Sequence, residues 1–232
     1  MGKYFEIFRI SYENTKELIV GLLFGLFTFL TFGLGSVLIF GFAGDTLRNS
    51  LNGKIELAEW AHWKEILITG VKVGFGVLAY TLPAWILLMI EEPDVFYAIL
   101  MMSSSFESLN IASNLIFASG YFIYFCILLF FFLIWLMPSA IILVVESDRL
   151  AELLSFRKIF KATLNKKYFS AWLFFALTLL IVFIIANILS YASLPGTVLG
   201  ISLMFYISSV SAALAFGNAK YEHEKMNPLV KD

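Results

Sequence analysis

Chemistry in this chain would have to come from very few side chains. The 232 residues include two histidines and one cysteine. His62 belongs to no His-Glu-x-x-His pair. His223 lies in Glu222-His223-Glu224, a solvated charge run and not a His-Glu-x-x-His pair. Cys126 sits in an apolar run, where a thiol packs as a small hydrophobe, and a single cysteine excludes an internal disulfide or a cysteine metal cluster. Serines are plentiful, but none stands in a Gly-x-Ser-x-Gly setting with a credible base, and phosphate-cradling glycine loops are absent. The residues therefore point to a non-enzymatic protein with no metal and no cofactor. Two basic features remain. Lys72 falls inside the apolar run Ile66–Ile90, where a cation either contacts a ligand or ion or snorkels back to the surface. Glu65, seven residues earlier on the same helical face, is its candidate partner. Arg157, Lys158, Lys161, Lys166 and Lys167 lie along a segment that leads into another apolar run. Such a segment attracts anionic lipid headgroups at roughly 1 kcal/mol per basic residue, although the same charges also serve as topology signals. Nucleic-acid binding does not follow, because acidic residues are interspersed.

The elements that must position these residues are set by composition. Hydrophobic residues make up 60% of the chain and charged residues 14%, with 25 phenylalanines and a mean hydropathy of +0.88. A soluble domain carries roughly 25% charged residues, so this chain could not cover its apolar surface in water and the bilayer must be its solvent. Residues 1–17 are too charged and aromatic for a secretory signal. Tyr4, Phe5, Phe8 and Tyr12 share one helical face there, which predicts an interfacial amphipathic helix. Leu18–Ala43 reads either as one span or as two short helices broken at Phe32-Gly33-Leu34-Gly35. Residues 44–65 form a polar segment with a turn at Asn52-Gly53 and with Trp60 and Trp63 as headgroup-level anchors. Ile66–Ile90 is a clean span, Val95–Ser113 has no strong pattern, and Leu115–Val145 is long enough to need tilt or a kink near Pro138. Residues 146–167 predict a further amphipathic helix. Spans near Tyr168–Leu189 and Val198–Phe216 follow, and the chain from Gly217 reads as a loose polar tail.

Every lysine and arginine except Lys72 falls in residues 1–17, 44–65, 146–168 or the tail, and such segments belong on the cytoplasmic side. With 1–17 and 44–65 both basic, the run between them should leave and return, which favours the hairpin; a single span with an external N-terminus is the alternative. Gly21-x-x-x-Gly25, Gly70-x-x-x-Gly74 and Gly196-x-x-x-Gly200 fall one in each hairpin and predict close helix packing or a dimer interface.

Three pieces carry a resemblance. Asn14-Thr15-Lys16-Glu17-Leu18-Ile19-Val20-Gly21 runs a polar pair into an apolar helix. Gly41-Phe42 leads to Arg48, then to Glu56-Leu57-Ala58-Glu59-Trp60, Trp63 and Gly70-Val71-Lys72. Met137-Pro138 precedes Phe156-Arg157-Lys158-Ile159. Together these resemble the uncharacterised prokaryotic membrane family known as domain of unknown function 4013. Ala58 departs from the family's expected proline and Thr69 from its expected acid. The resemblance implies a membrane setting and a fold type but no activity.

The expectation is an all-α integral membrane protein with five to six transmembrane helices in hairpins and amphipathic cytoplasmic helices. It comprises an interfacial helix at 1–17, a polytopic domain at 18–218 and a cytoplasmic tail at 219–232, in the plasma membrane with both termini inside. Its partners would be anionic lipids, a docked protein or a second copy. A small transporter or channel, with a path near Lys72, Pro83 and Pro138, is the competing reading.

Overall fold

The computed structural model describes residues 2–30, 35–91, 93–94, 121–191 and 194–226. These form helices and no strands: α1 (Gly2–Glu13), α2 (Thr15–Leu30), α3 (Ser36–Leu51), α4 (Trp63–Glu91), α5 (Tyr121–Ser147), a 3₁₀ helix at Leu150–Leu154, α6 (Phe156–Thr163), α7 (Lys166–Ser190) and α8 (Leu194–Met226). Four of them, α4, α5, α7 and α8, are long and apolar enough to cross a membrane. The chain divides into two compact units, residues 1–76 with 139–232, and residues 77–138.

In the larger unit α8 is central. The most apolar window of α8 is 56% buried against 11% for α7, so α8 is sheathed by protein while α7 turns most of its surface outward. Helices α1, α2, α3 and α7 all pack on it. Small residues allow the approach. A side chain at Gly21 would run into the Tyr206 ring, and one at Gly25 would lie 2.5 Å from the Ser202 Cβ. Without lipid-facing hydrophobic drive between helices, such close contact is the main source of association. Polar atoms add fixed points: the Ser11 and Ser211 hydroxyls are 3.1 Å apart, and Ser50 Oγ donates to the Leu214 carbonyl at 2.9 Å. Thr28 and Ser202 instead return their hydroxyls to the carbonyl four residues back, which satisfies them without a partner helix.

Leu18–Ala43 is not one helix. Helix α2 ends at Leu30 and α3 starts at Ser36, with Gly35 against the Thr28 backbone nitrogen at 2.5 Å from a hypothetical Cβ. The chain therefore takes the two-helix form, each of 16 residues. Helix α3 then crosses α4 backbone to backbone. Cβ atoms at Gly41 and Gly70 would collide with the Ile66 and Val37 carbonyls respectively, whereas one at Gly74 would meet only the Phe40 ring at 3.5 Å. Gly200 lies close to the Ala186 backbone on α7, and Gly196 opens α8.

Helix α1 buries Tyr4 in part and Ile7 and Ser11 fully, the small Ser11 fitting against α8, and leaves Phe5 and Tyr12 exposed. Several local expectations are corrected. Residues 44–65 are not an amphipathic helix: α3 runs on to Leu51, Gly53 turns the chain at φ +78°, and an irregular stretch reaches α4. Trp60 is a core residue and not a headgroup-level anchor. Its ring stacks on Phe42 at 4.2 Å and 11° and meets Phe24 at 5.1 Å. Trp63, at 5.8 Å from it, stays exposed. Residues 146–167 break at Ser155 into the 3₁₀ helix and α6. The loose tail is also overturned, since α8 continues to Met226 with Gly217, Asn218 and Ala219 buried. Residues 227–232 and Val95–Ser113 lie outside the described residues.

The smaller unit contains the C-terminal part of α4 and the N-terminal part of α5. Trp85 and Phe130 meet edge to face at 5.9 Å, and Tyr80, Ala84, Leu88, Cys126 and Leu136 are buried.

Candidate functional site

Charge collects where α3 ends, α5 ends, α6 turns into α7 and α8 finishes. Each end is fixed by a local device. Asn52 caps α3, its backbone N–H reaching the Arg48 and Asn49 carbonyls and its side chain donating to the Arg48 carbonyl at 3.0 Å, while the Gly53 N–H takes the Ser50 carbonyl. Asn165 caps α7 by accepting from the Tyr168 N–H at 2.7 Å, while its amide donates to the Ala162 carbonyl at 2.6 Å. That double bond ties α6 to α7 across a tight corner. Asp148 closes α5 in the left-handed region at φ 59°, a conformation aspartate tolerates better than most residues.

Asp148 is also the partner of Lys72. The Lys72 Nζ donates to the Asp148 Oδ1 at 2.7 Å and to its backbone carbonyl at 3.3 Å. That hydrogen bond holds the Asp148 carboxyl below the ordinary carboxylate range. The expected pairing with Glu65 is not made, and Glu65 is exposed with no ion pair among the described residues. Sequence distance hides this, since Asp148 comes 76 positions later. Lys72 thus sits where its ammonium reaches the polar end of α5, as a snorkelling residue would.

Around these ends lies a cleft of about 1020 Å³. Its basic side chains include Arg48, Lys158, Lys161, Lys220 and Lys225, and its acidic ones Glu146, Glu152 and Glu224. Most of this charge is paired. Lys158 donates to both Glu152 oxygens at 2.9 and 3.1 Å, which lowers the Glu152 pKa. Lys220 bridges Glu146 and, at 3.5 Å, Glu224. Arg48 is held by Asp45 at 2.9 Å, and Asp45 also accepts from Thr69 at 3.3 Å. Lys161 and Lys225 have no ion pair among the described residues. Ser139, which also lines the cleft, is 1% exposed, and its hydroxyl has no hydrogen-bond partner among them.

Of the basic residues singled out from sequence, Lys158 and Lys161 reach the cleft. Arg157 and Lys166 are exposed, and Lys167 pairs with Glu222 at 2.7 Å. The cleft's contribution from α8 was hidden by reading the tail as loose. A usable signal was present: Lys220 and Glu224 stand four apart in a stretch free of proline, as a charged helix end requires. No grouping of three or more metal-ligating side chains occurs among the described residues.

No curated protein and no solved structure matches the chain. A family model described as "Protein of unknown function" matches residues 18–191, a span that includes Arg48, Ser139 and Lys161 and stops short of Lys220 and Lys225. With well over half of its length matched, the chain belongs to that family, DUF4013.

Proposed function

We propose that this protein is a non-enzymatic, multi-pass module of the plasma membrane that associates with anionic lipid through a cytoplasmic collar. The observation that carries the reading is the make-up of α6. Ile159 and Thr163 are buried against the bundle. Phe156, Phe160 and Leu164, spaced four apart, are 52%, 39% and 83% exposed. Arg157, Lys158 and Lys161 occupy the remaining face. An exposed aromatic and leucine stripe beside a basic stripe, directly before a spanning helix, suits a helix lying in the headgroup layer. Leu150 and Leu154 in the preceding 3₁₀ helix extend the apolar stripe.

The positive charges favour a cytoplasmic position for this collar and for both ends of the chain. Helices α2 and α3, at 16 residues, each rise only about 24 Å against a hydrocarbon core of about 30 Å, so this hairpin dips into or thins the bilayer beside four full spans. The Lys72–Asp148 pair supports an anchoring role for Lys72 over a place on a transport path.

The test is an environment-sensitive fluorophore on Phe160→Cys in a Cys126→Ser background, with the protein in nanodiscs. Blue-shifted emission that deepens when phosphatidylglycerol replaces phosphatidylcholine is the expected result. A water-like spectrum in both lipids would remove the reading.

A further inference from the structure

We propose that the cleft between α3, α5, α6 and α8 binds a phosphate-bearing anion. The inference takes from the reading above only that the cleft opens at the membrane surface. Its own support is the state of the groups that line it.

The three acidic side chains, Glu146, Glu152 and Glu224, are each already engaged by a lysine. A cation entering the cleft would have to displace an ammonium to reach them. Lys161 and Lys225 are in the opposite state, two charges from separate helices without an ion pair among the described residues. Basic side chains outnumber acidic ones on the lining, so the local field favours a negative guest. The second observation is independent of charge. Ser139 Oγ, 99% shielded in a residue that lines the cleft, has no partner among the described residues, and a buried hydroxyl left so is costly. A phosphate oxygen would accept its proton while the other oxygens meet the ammonium groups.

Size fits an anion with a substituent. At about 1020 Å³ the cleft exceeds what a bare phosphate fills, and the walls add polar groups such as Asn52 and Ser147 beside apolar Ile142, Val145 and Phe216. This mixture suits a phosphate ester whose remainder is part hydroxylated and part apolar. A basic pocket between helices near the membrane surface is a recognised form of headgroup site. Two sources could supply the same chemistry, a phospholipid headgroup or a soluble phosphate ester.

The experiment uses the full chain in dodecyl maltoside micelles. One arm follows retention of phosphatidylglycerol against phosphatidylcholine by native mass spectrometry. The other follows glycerol 3-phosphate by ³¹P line broadening. Saturable binding in the first arm assigns a lipid headgroup, and saturable binding in the second alone assigns a soluble ester. Lys161→Gln with Lys225→Gln should weaken whichever binding is seen about 30-fold. Ser139→Val should weaken it about threefold to tenfold. Lys54→Gln with Lys64→Gln, exposed and outside the cleft, should leave the saturable component in place, and a retained circular-dichroism melt shows that each variant folds. Absence of binding in both arms, or unchanged binding in the folded Lys161/Lys225 variant, overturns the proposal. The Phe160 fluorophore does not read the cleft, so a failed cleft with an inserted collar, or the reverse, separates the two conclusions.

Discussion

Substituting Gly70 with alanine tests whether the α3–α4 crossing is as close as backbone contact allows. The added methyl would enter the space of the Val37 carbonyl oxygen, a backbone atom that has no rotamer to escape into. Overpacking of this kind costs about 3 kcal/mol, the upper end of the usual range, because the helices themselves must separate. Alanine also favours the helix over glycine by about 1 kcal/mol, so the net loss should be about 2 kcal/mol. Gly74→Ala, one turn along the same helix, is the internal control. Its methyl would meet only the Phe40 ring at 3.5 Å, an ordinary contact, and it should be neutral or stabilising by up to about 1 kcal/mol. The two variants should therefore differ by about 2–3 kcal/mol, even though both replace a helical glycine by alanine. Unfolding by dodecyl sulfate titration in dodecyl maltoside micelles, followed by circular dichroism, measures this directly. Equal stabilities for the two variants would refute the close crossing, as would a Gly70→Ala protein as stable as the parent.

Trp60→Phe should cost about 1–2 kcal/mol, because the indole N–H has no partner among the described residues and only volume is lost, whereas Trp60→Ala should cost about 3–5 kcal/mol; the same titration separates them. Asp148→Asn should cost less than about 1 kcal/mol, since the carboxylate of this pair is well exposed, and Asp148→Ala should cost about 1 kcal/mol more for its left-handed backbone. The sign with pH follows from the lowered Asp148 carboxyl: its contribution is complete above the unfolded value of 3.8 and is lost as pH falls through the lower folded value. Acid titration of Asp148→Asn should lack that step, and an unchanged acid profile would count against the pair.

The spans were legible in the sequence because a bilayer demands long apolar runs, and Ile66–Ile90, Tyr168–Leu189 and Val198–Phe216 each fall within one helix of the structure. The run Leu18–Ala43 reads either as one span or as two helices, and the structure has two, α2 and α3. Faces were harder to read. On α1 the aromatic spacing drew attention to Tyr4, Phe5, Phe8 and Tyr12, whereas the contact with α8 is made through Ile7 and Ser11, which no pattern marked. Trp60 misled as well: tryptophan is common at headgroups, but here stacking on Phe42 holds it inside. The cleft was only half visible. Lys158 and Lys161 stood out in a basic run, while Arg48, Ser139 and Lys220 come from distant stretches that only the packing of α3, α5 and α8 brings together.

The central place of α8 has a consequence for how the protein is made. Residues 2–51 leave the ribosome on the order of 10 s before residues 194–226, at common synthesis rates. Throughout that interval Gly21 and Gly25 wait for Tyr206 and Ser202, and the Ser50 hydroxyl waits for the Leu214 carbonyl. The early helices can insert but cannot settle, so a nascent chain shows grooves and polar atoms to lipid until α8 arrives. Arrest of translation before Leu194 would leave that surface open, which makes completion of α8 the step at which a finished molecule becomes distinguishable from an abandoned one.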